Sequence, residues 1–415
     1  MCPVTEADVL RARETRARHA SSLSRDMDAP VVLVKANMPG KKKNSPYARV
    51  IINVATRLLF DLCDVTLEAR TPSSDGDYHI MVVKGAAKGI KRLSVYLENT
   101  HRLGRLFDID VYAAGEPLSR KDLGLQRRRC LICEGDVDVC RRLERHPMNT
   151  LHASIQGKVH GFLLDALSET AADALRRELY MTPCFSLVGP CGSGRHRDMN
   201  MSHFLASIEA LKPYFRLYLS HGMDLHRNLP RLRELGKAGE KAMLDSTGGV
   251  NTHKGAHFIF GLVLPVFMHS VLYGDDFETF KDTLSQTAGY LLAGDFKRLK
   301  QAGASTRGGE LYLEHGVKGV RGEALGGFKS VFEWYPERDT TDFEALLRIM
   351  ARLEDTTLYK GSFDPDSMKK AFKTCEQEGF EGKDELYEDH RHLSPGGAAD
   401  MLALVYFLRA SDHLL

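Results

Sequence analysis

The sequence predicts an α+β N-terminal domain followed by an all-α helical C-terminal domain, and three observations carry this. At 415 residues the chain is longer than one ordinary core supports. Short apolar runs with strand character, bounded by turn residues, occur only in roughly the first 150 residues. Beyond them apolar residues recur at helical spacing over long stretches, and strand signals nearly vanish.

A helix is expected over 5–28, opened by Thr5 with Asp8 three positions on, a capping-box-like start. Val31-Val32-Leu33-Val34 reads as a short buried strand ended by Asn37-Met38-Pro39-Gly40. A second helix is expected from about Pro46 to Glu68, with Val50, Ile51, Val54, Leu58, Leu59 and Leu62 on one face. After the turn Ser73-Ser74-Asp75-Gly76, three strand-like runs follow: His79–Val83, Leu93–Leu97 and Leu106–Tyr112. Helical patterns then span 155–180, 202–223, 231–245, 251–273, 275–292, 341–356 and 397–414. With no linker visible, the boundary is set near Lys158, giving domains 1–158 and 159–415.

Composition narrows the class. With 43% hydrophobic and 27% charged residues the chain is of soluble globular type, and no apolar run is expected to cross a bilayer. The charged N-terminal segment lacks an apolar h-region, so no secretory signal is expected. Eight unevenly spaced cysteines do not form a disulfide framework, which points to a reducing cytoplasm. The net charge of +2 is unevenly spread, with Lys and Arg in excess before residue 158 and Asp and Glu in excess after it. A basic N-terminal half suits a phosphate-rich or acidic partner, or is simply a solvated surface. Its basic runs, Lys41–Lys43 and Arg127–Arg129, lack aromatic interleaving and a binding motif, so neither nucleic acid nor membrane is expected as a partner.

In Gly104-Arg105-Leu106-Phe107-Asp108-Ile109-Asp110-Val111 a strand places Asp108 and Asp110 on one face. Two convergent carboxylates can hold Mg²⁺ against a triphosphate whose pyrophosphate departs; the alternative is an acidic strand face in water. Polymerase-β-like nucleotidyltransferases use a D-x-D of this kind, which makes the first domain nucleotidyltransferase-like. Lys42 in the turn that follows Gly40, and Arg105, are candidate phosphate ligands, and Glu98 is a possible third carboxylate. Cys130-x-x-Cys133-x6-Cys140-x5-His146 has metal-ligand spacing, with incidental reduced thiols as the alternative.

Arg13-Glu14-x-Arg16, Asn37-x-Pro39-Gly40-x-Lys42, the Gly104–Val111 stretch and Arg129-Cys130-x-x-Cys133 through His146 together resemble the citrate lyase holo-acyl-carrier-protein synthase family, also called apo-citrate lyase phosphoribosyl-dephospho-CoA transferase. The resemblance implies transfer of a phosphoribosyl-dephospho-CoA moiety to a serine of the apo acyl carrier (gamma) subunit of citrate lyase, releasing pyrophosphate. It agrees with Mg²⁺ at Asp108 and Asp110.

In the C-terminal part, polar clusters mixing Gly with charged residues interrupt the helices. They include Gly194-Arg195-His196-Arg197-Asp198-Met199-Asn200, Asn251-Thr252-His253-Lys254-Gly255-Ala256, Arg321-Gly322-Glu323-Ala324, Arg352-Leu353-Glu354-Asp355-Thr356 and Leu393-Ser394-Pro395-Gly396-Gly397-Ala398-Ala399-Asp400. Free N–H groups at glycine-flanked helix starts receive phosphate oxygens, which makes His196, Asn251, His253, Lys254 and Arg321 candidate ligands; Asn251 is equally a helix cap. These clusters are similar to the triphosphoribosyl-dephospho-CoA synthase family, which joins the ribose of ATP to the 2′-hydroxyl of 3′-dephospho-CoA and expels adenine. A glycosyl transfer through an oxocarbenium-like state suits carboxylates, and Asp198, Glu323, Asp355 and Asp400 are the candidates, as acid, base, metal ligand or helix cap. The family's Lys-Pro-Gly-Leu-Val-Asp-Arg is replaced here by Cys184-Phe185-Ser186-Leu187-Val188-Gly189-Pro190, and Asn200 stands where Asp is usual. The resemblance therefore implies a fused bifunctional transferase, or an active transferase joined to a catalytically impaired nucleotide-binding helical module.

Overall fold

The computed structural model describes residues 5–415 apart from 41–42, 191, 305, 336, 338 and 359–364. The chain divides into two compact units, one of Met1–Leu163 with Val271–Gly274, the other of Leu164–Ser270 with Asp275–His413.

The first unit carries helices α1 (Glu6–Asp26), α2 (Pro46–Leu62) and α3 (Ala87–Thr100), and strands β1 (Val31–Ala36), β2 (Val65–Thr71), β3 (Tyr78–Val83), β4 (Phe107–Ala113) and β5 (Glu116–Leu118). A short α4 (Val137–Arg142) and the start of the long α5 (Met148–Leu179) follow. The five strands form one antiparallel sheet in the order β2-β3-β1-β4-β5. Side chains alternate across a strand, so Val31, Leu33 and Lys35 share a face with their β4 partners Tyr112, Asp110 and Asp108. Ala20 and Leu23 of α1 pack on that face with Val31, Leu33, Tyr78, Ile80, Val82 and Tyr112. The opposite residues of β1 and β4, among them Val32, Val34, Phe107, Ile109 and Val111, are buried as well, and α2 and α3 pack on those two strands. Polar ties also hold α1: the Ser24 hydroxyl accepts from the Gly115 N–H at 2.8 Å, and Ser21 donates to the Gly115 carbonyl at 2.5 Å.

Two expected elements are corrected here. Leu93–Leu97 belongs to helix α3, where Ile90, Ser94, Val95, Leu97 and Glu98 are buried at helical rather than alternating spacing. The second helix ends at Leu62 and not near Glu68, because Cys63 is already extended, and Val65–Thr71 forms the edge strand β2.

The second unit is built of helices. After α5 come α6 (Met201–Gly222), α7 (Leu225–Ser246), α8 (Lys254–Tyr273) and α9 (Phe277–Leu292). The shorter α10 (Asp295–Ala302), α11 (Arg307–His315), α12 (Gly319–Leu325), α13 (Lys329–Phe332), α14 (Asp342–Met350), α15 (Pro365–Gln377) and α16 (Lys383–His390) precede α17 (Gly396–Ser411). Phe407 of α17 meets Phe260 and Phe267 of α8 edge-on at 5.8 and 5.2 Å, and Phe280 of α9 extends the stack. Contrary to the expectation that no run reaches bilayer length, α8 is long and apolar enough to cross a membrane, with a mean hydropathy of 1.7. Some 78% of that window is buried inside the protein. A helix enclosed by others is apolar all round, the same pattern a lipid environment would select.

Candidate functional sites

In the first unit, the shared-face geometry puts Asp108 and Asp110 side by side on β4, under α1. Asp108 is 34% exposed and receives Arg128 Nη1 at 3.1 Å. Arg128 also reaches Glu98, which is 2% exposed and held from its other oxygen by Arg120. The Glu98 oxygen that meets Arg128 also accepts from the Ile109 N–H at 3.2 Å, so this acid from α3 fixes β4 between the two aspartates. Among the described residues the Asp110 carboxyl has no ion-pair or hydrogen-bond partner. Burial, then the charge of Asp108, raise its pKa, while Lys91 and Arg128 oppose them. Lys91 itself donates to the Ile109 carbonyl at 3.0 Å, and burial lowers its pKa.

A second clamp adjoins this one. Lys35, the cross-strand partner of Asp108, donates to Asp75 Oδ2 at 2.7 Å. Arg13 and Arg16 of α1 grip the same carboxylate at 2.9 and 2.6 Å. Asp75 is 1% exposed; burial works against its charge, yet Lys35, Arg16 and Arg13 bring its pKa down to about 2. The clamp explains why Arg13 and Arg16 accompany the D-x-D: three cations are assembled beside Asp108 and share one anion. Asp75 itself was not foreseen, because in sequence it reads as a turn residue. Burial, followed by Arg128 and Arg120, lowers the pKa of Arg105, whose backbone carbonyl accepts from Asn37 at 3.4 Å. Lys42 lies outside the described residues; its neighbour Lys43 donates to the Met38 carbonyl at 2.5 Å.

In the second unit, three acids converge where α8 and α17 begin. Asp355, 2% exposed, accepts from the Ala398 N–H at 2.9 Å and from the Thr357 hydroxyl at 2.6 Å, so it caps α17 from outside the helix. Asp400, one turn into α17, faces the Ala256 N–H at the start of α8. Its pKa is raised well above the usual range by burial first, then by the charges of Glu178 and Asp355. Glu178 of α5 is buried and lifted to about 8 by that burial. It was missed in the sequence, although a signal was there: it continues the buried stripe Leu167, Ala171, Ala174, Leu175, where a carboxylate is out of pattern. The approach is tight. A Cβ on Gly255 would lie 1.9 Å from Asp400 Oδ2, and one on Gly397 2.8 Å from Asp355 Oδ1.

His253 precedes α8 and is buried rather than presented to solvent. Burial brings its pKa to about 3, its Nδ1 pairs with the Ser207 hydroxyl at 2.8 Å, and its buried Nε2 has no partner among the described residues. Lys254 is half-exposed and pairs with Glu240 of α7 at 2.5 Å. Arg321 stands 3.9 Å from Asp295, which Arg233 of α7 also holds at 3.0 Å. Arg233 and Glu240 are seven residues apart on α7 and so share a face, which places the Arg321 and Lys254 contacts about 10 Å apart along it. Of the remaining candidates only some lie by the start of α17. His196 meets the Ser394 hydroxyl at 3.3 Å, just before α17. Glu323 accepts from the Ser330 N–H at 2.6 Å, Asn200 caps α6, and Asp198 and Asn251 are exposed. The segment that departs from the synthase pattern lies against the same loop, with the Ser186 N–H donating to the Leu393 carbonyl at 2.8 Å.

The comparisons with known proteins follow this division. A family model described as apo-citrate lyase phosphoribosyl-dephospho-CoA transferase matches residues 4–162, and one described as ATP:dephospho-CoA triphosphoribosyl transferase matches residues 164–415. A protein called CitXG from Haemophilus influenzae is 32% identical over 442 residues, covering 96% of this chain and 94% of its own. Another CitXG, from Leuconostoc mesenteroides subsp. cremoris, is 29% identical with 96% of each chain covered. A 2-(5″-triphosphoribosyl)-3′-dephosphocoenzyme-A synthase from Haemophilus ducreyi is 31% identical over 66% of this chain. With both halves matched and whole-length relatives of the same arrangement, the chain belongs to the family of fused transferases that unite apo-citrate lyase phosphoribosyl-dephospho-CoA transferase with triphosphoribosyl-dephospho-CoA synthase.

Proposed function

We propose that each unit holds one site, and that the product of the second unit is the substrate of the first. In the second unit ATP and 3′-dephospho-CoA give 2′-(5″-triphosphoribosyl)-3′-dephospho-CoA and adenine. The observation that carries this is a pair of buried acids, Glu178 and Asp400: burial raises the pKa of both, and the charge of Glu178 raises that of Asp400 further. The member that keeps its proton delivers it to the departing adenine as the ribose C–N bond breaks. The charged member takes the proton of the attacking 2′-hydroxyl as the new C–O bond forms, and the oxocarbenium-like centre lies beside its carboxylate. Asp355 acts as a positioning residue, since Oδ2 is committed to the Ala398 N–H of α17 and Oδ1 to the Thr357 N–H and hydroxyl. Lys254 of α8, paired with Glu240 of α7, and Arg321 of α12, near the Asp295 that Arg233 of α7 holds, suit a triphosphate.

The first unit then moves the phosphoribosyl-dephospho-CoA moiety onto a serine of the apo acyl carrier (gamma) subunit of citrate lyase, with pyrophosphate leaving. Its sheet with paired aspartates on one strand supports a nucleotidyltransferase-like reading. The unpartnered Asp110 carboxyl beside Asp108 fits Mg²⁺, and these two residues would hold it. When bound, Mg²⁺ neutralises the pyrophosphate leaving group. Arg128 and Lys91 bring positive charge to the pair, and Arg105 near Arg128 adds to it, for the remaining phosphate oxygens. The free thiols suit a cytoplasmic enzyme.

Asp108→Asn and Asp110→Asn test the transfer site. Each is expected to abolish mass gain of the carrier while adenine release from ATP and dephospho-CoA continues. Undiminished carrier modification in both variants would refute the assignment. Absence of adenine release in the unaltered chain would instead favour an impaired helical module, the reading prompted by the replaced lysine and aspartate near Cys184.

A further inference from the structure

A cluster outside both sites has the geometry of a closed metal centre. Cys130, Cys133, Cys140 and His146 come from the segment between β5 and α5, and one ligand atom from each lies within 4.8 Å of all the others. A tetrahedral zinc with Zn–S bonds of about 2.3 Å sets its sulfurs roughly 3.8 Å apart. The Sγ atoms of Cys133 and Cys140 are 3.5 Å apart, close to that spacing and far from the roughly 2 Å of a disulfide. Nε2 of His146 is buried without a hydrogen-bond partner among the described residues, as a nitrogen awaiting an ion would be.

The backbone is shaped to match. The Ile132 N–H points at Cys130 Sγ at 3.5 Å, and the Cys130 N–H donates to the Gly135 carbonyl at 2.7 Å, closing the Cys-x-x-Cys turn. Asp136 caps α4 through the N–H groups of Asp138 and Val139, and α4 presents Cys140 to the turn. No extensive apolar core holds this segment; within it only Cys130 and Cys140 are buried.

We propose that Cys130, Cys133, Cys140 and His146 bind one structural Zn²⁺ that fixes the 124–147 segment. Four protein ligands leave no open position, so the ion has no catalytic water. Its place in the unit gives it a purpose. Arg128, two residues before Cys130, is the side chain that joins Glu98 to Asp108, and a pinned Cys130 holds that arginine in reach.

The test is metal content of the full chain, purified under reducing conditions, stripped and reloaded with zinc sulfate. About one zinc per chain is expected, with Cys140→Ser and His146→Ala retaining several-fold less and Cys63→Ser and His146→Cys retaining the full amount. Cobalt in place of zinc, in the unaltered chain, should give the thiolate charge-transfer and visible bands of a tetrahedral site, a readout independent of how the variants fold. Zinc content of the unaltered chain no higher than that of Cys140→Ser would overturn the proposal. So would a Cys133–Cys140 disulfide in protein kept from oxidants.

Discussion

Replacing Glu178 by Gln separates stability from function in the second unit. Burial lifts the carboxyl from 4.5 to about 8, so the folded chain keeps a proton that the unfolded chain releases at neutral pH. For an acid raised in this way the stability contribution is fully present below about pH 4.5 and is lost as pH rises towards 8. Each unit between 4.5 and neutrality costs about 1.4 kcal/mol, so the native acid destabilises the fold by about 3 kcal/mol at pH 7. Gln has nearly the same shape and never ionises. Glu178→Gln is therefore expected to gain up to about 3 kcal/mol at pH 7, little at pH 4.5, and to flatten the fall in stability over that range. Urea unfolding at a series of pH values, followed by circular dichroism, reads both quantities. Adenine release should meanwhile drop by at least about 100-fold, the usual worth of a general acid. An unchanged pH slope of stability would show that Glu178 is not held neutral, and undiminished adenine release would remove it from the chemistry.

The other predictions concern the two cation clusters. Asp75→Asn should destabilise the first unit by about 3 kcal/mol, because three cations lose the one buried anion they share; a midpoint in urea unchanged from the parent would contradict this. In the parent, the depressed Asp75 carboxyl contributes stability that is present above about pH 4 and lost as pH falls towards 2, and Asp75→Asn should lack that acid-side loss. Lys254→Ala should raise the ATP concentration needed for half-maximal adenine release with a smaller effect on the maximal rate. Equal ATP dependence in parent and variant would make Lys254 only a partner of Glu240.

Much of this was legible beforehand because it rests on local periodicity. Alternation placed Asp108 and Asp110 on one face, and the cysteine spacing announced a cluster that the turn at Cys130 and the short helix at Cys140 then assembled. What the sequence hid was set by tertiary contact. Val65–Thr71 is mostly exposed and becomes a strand because β3 offers it an unpaired edge. Glu178 and Asp400 are more than two hundred residues apart, and only the meeting of α5, α8 and α17 makes them a pair. The polar motifs around 194–200 and 319–324 looked alike as candidates, yet Asn200 and Glu323 are taken up in capping backbone N–H groups.

The near contacts at positions 255 and 397 change how related chains should be read. A methyl group at 255 would occupy the place of an Asp400 oxygen and force the acid to turn away, with no carboxylate altered. Any inventory of acids alone would then score such a relative as intact. The two glycines are in effect the mould into which the acids are cast, and surveys of active and decayed members should weigh them equally.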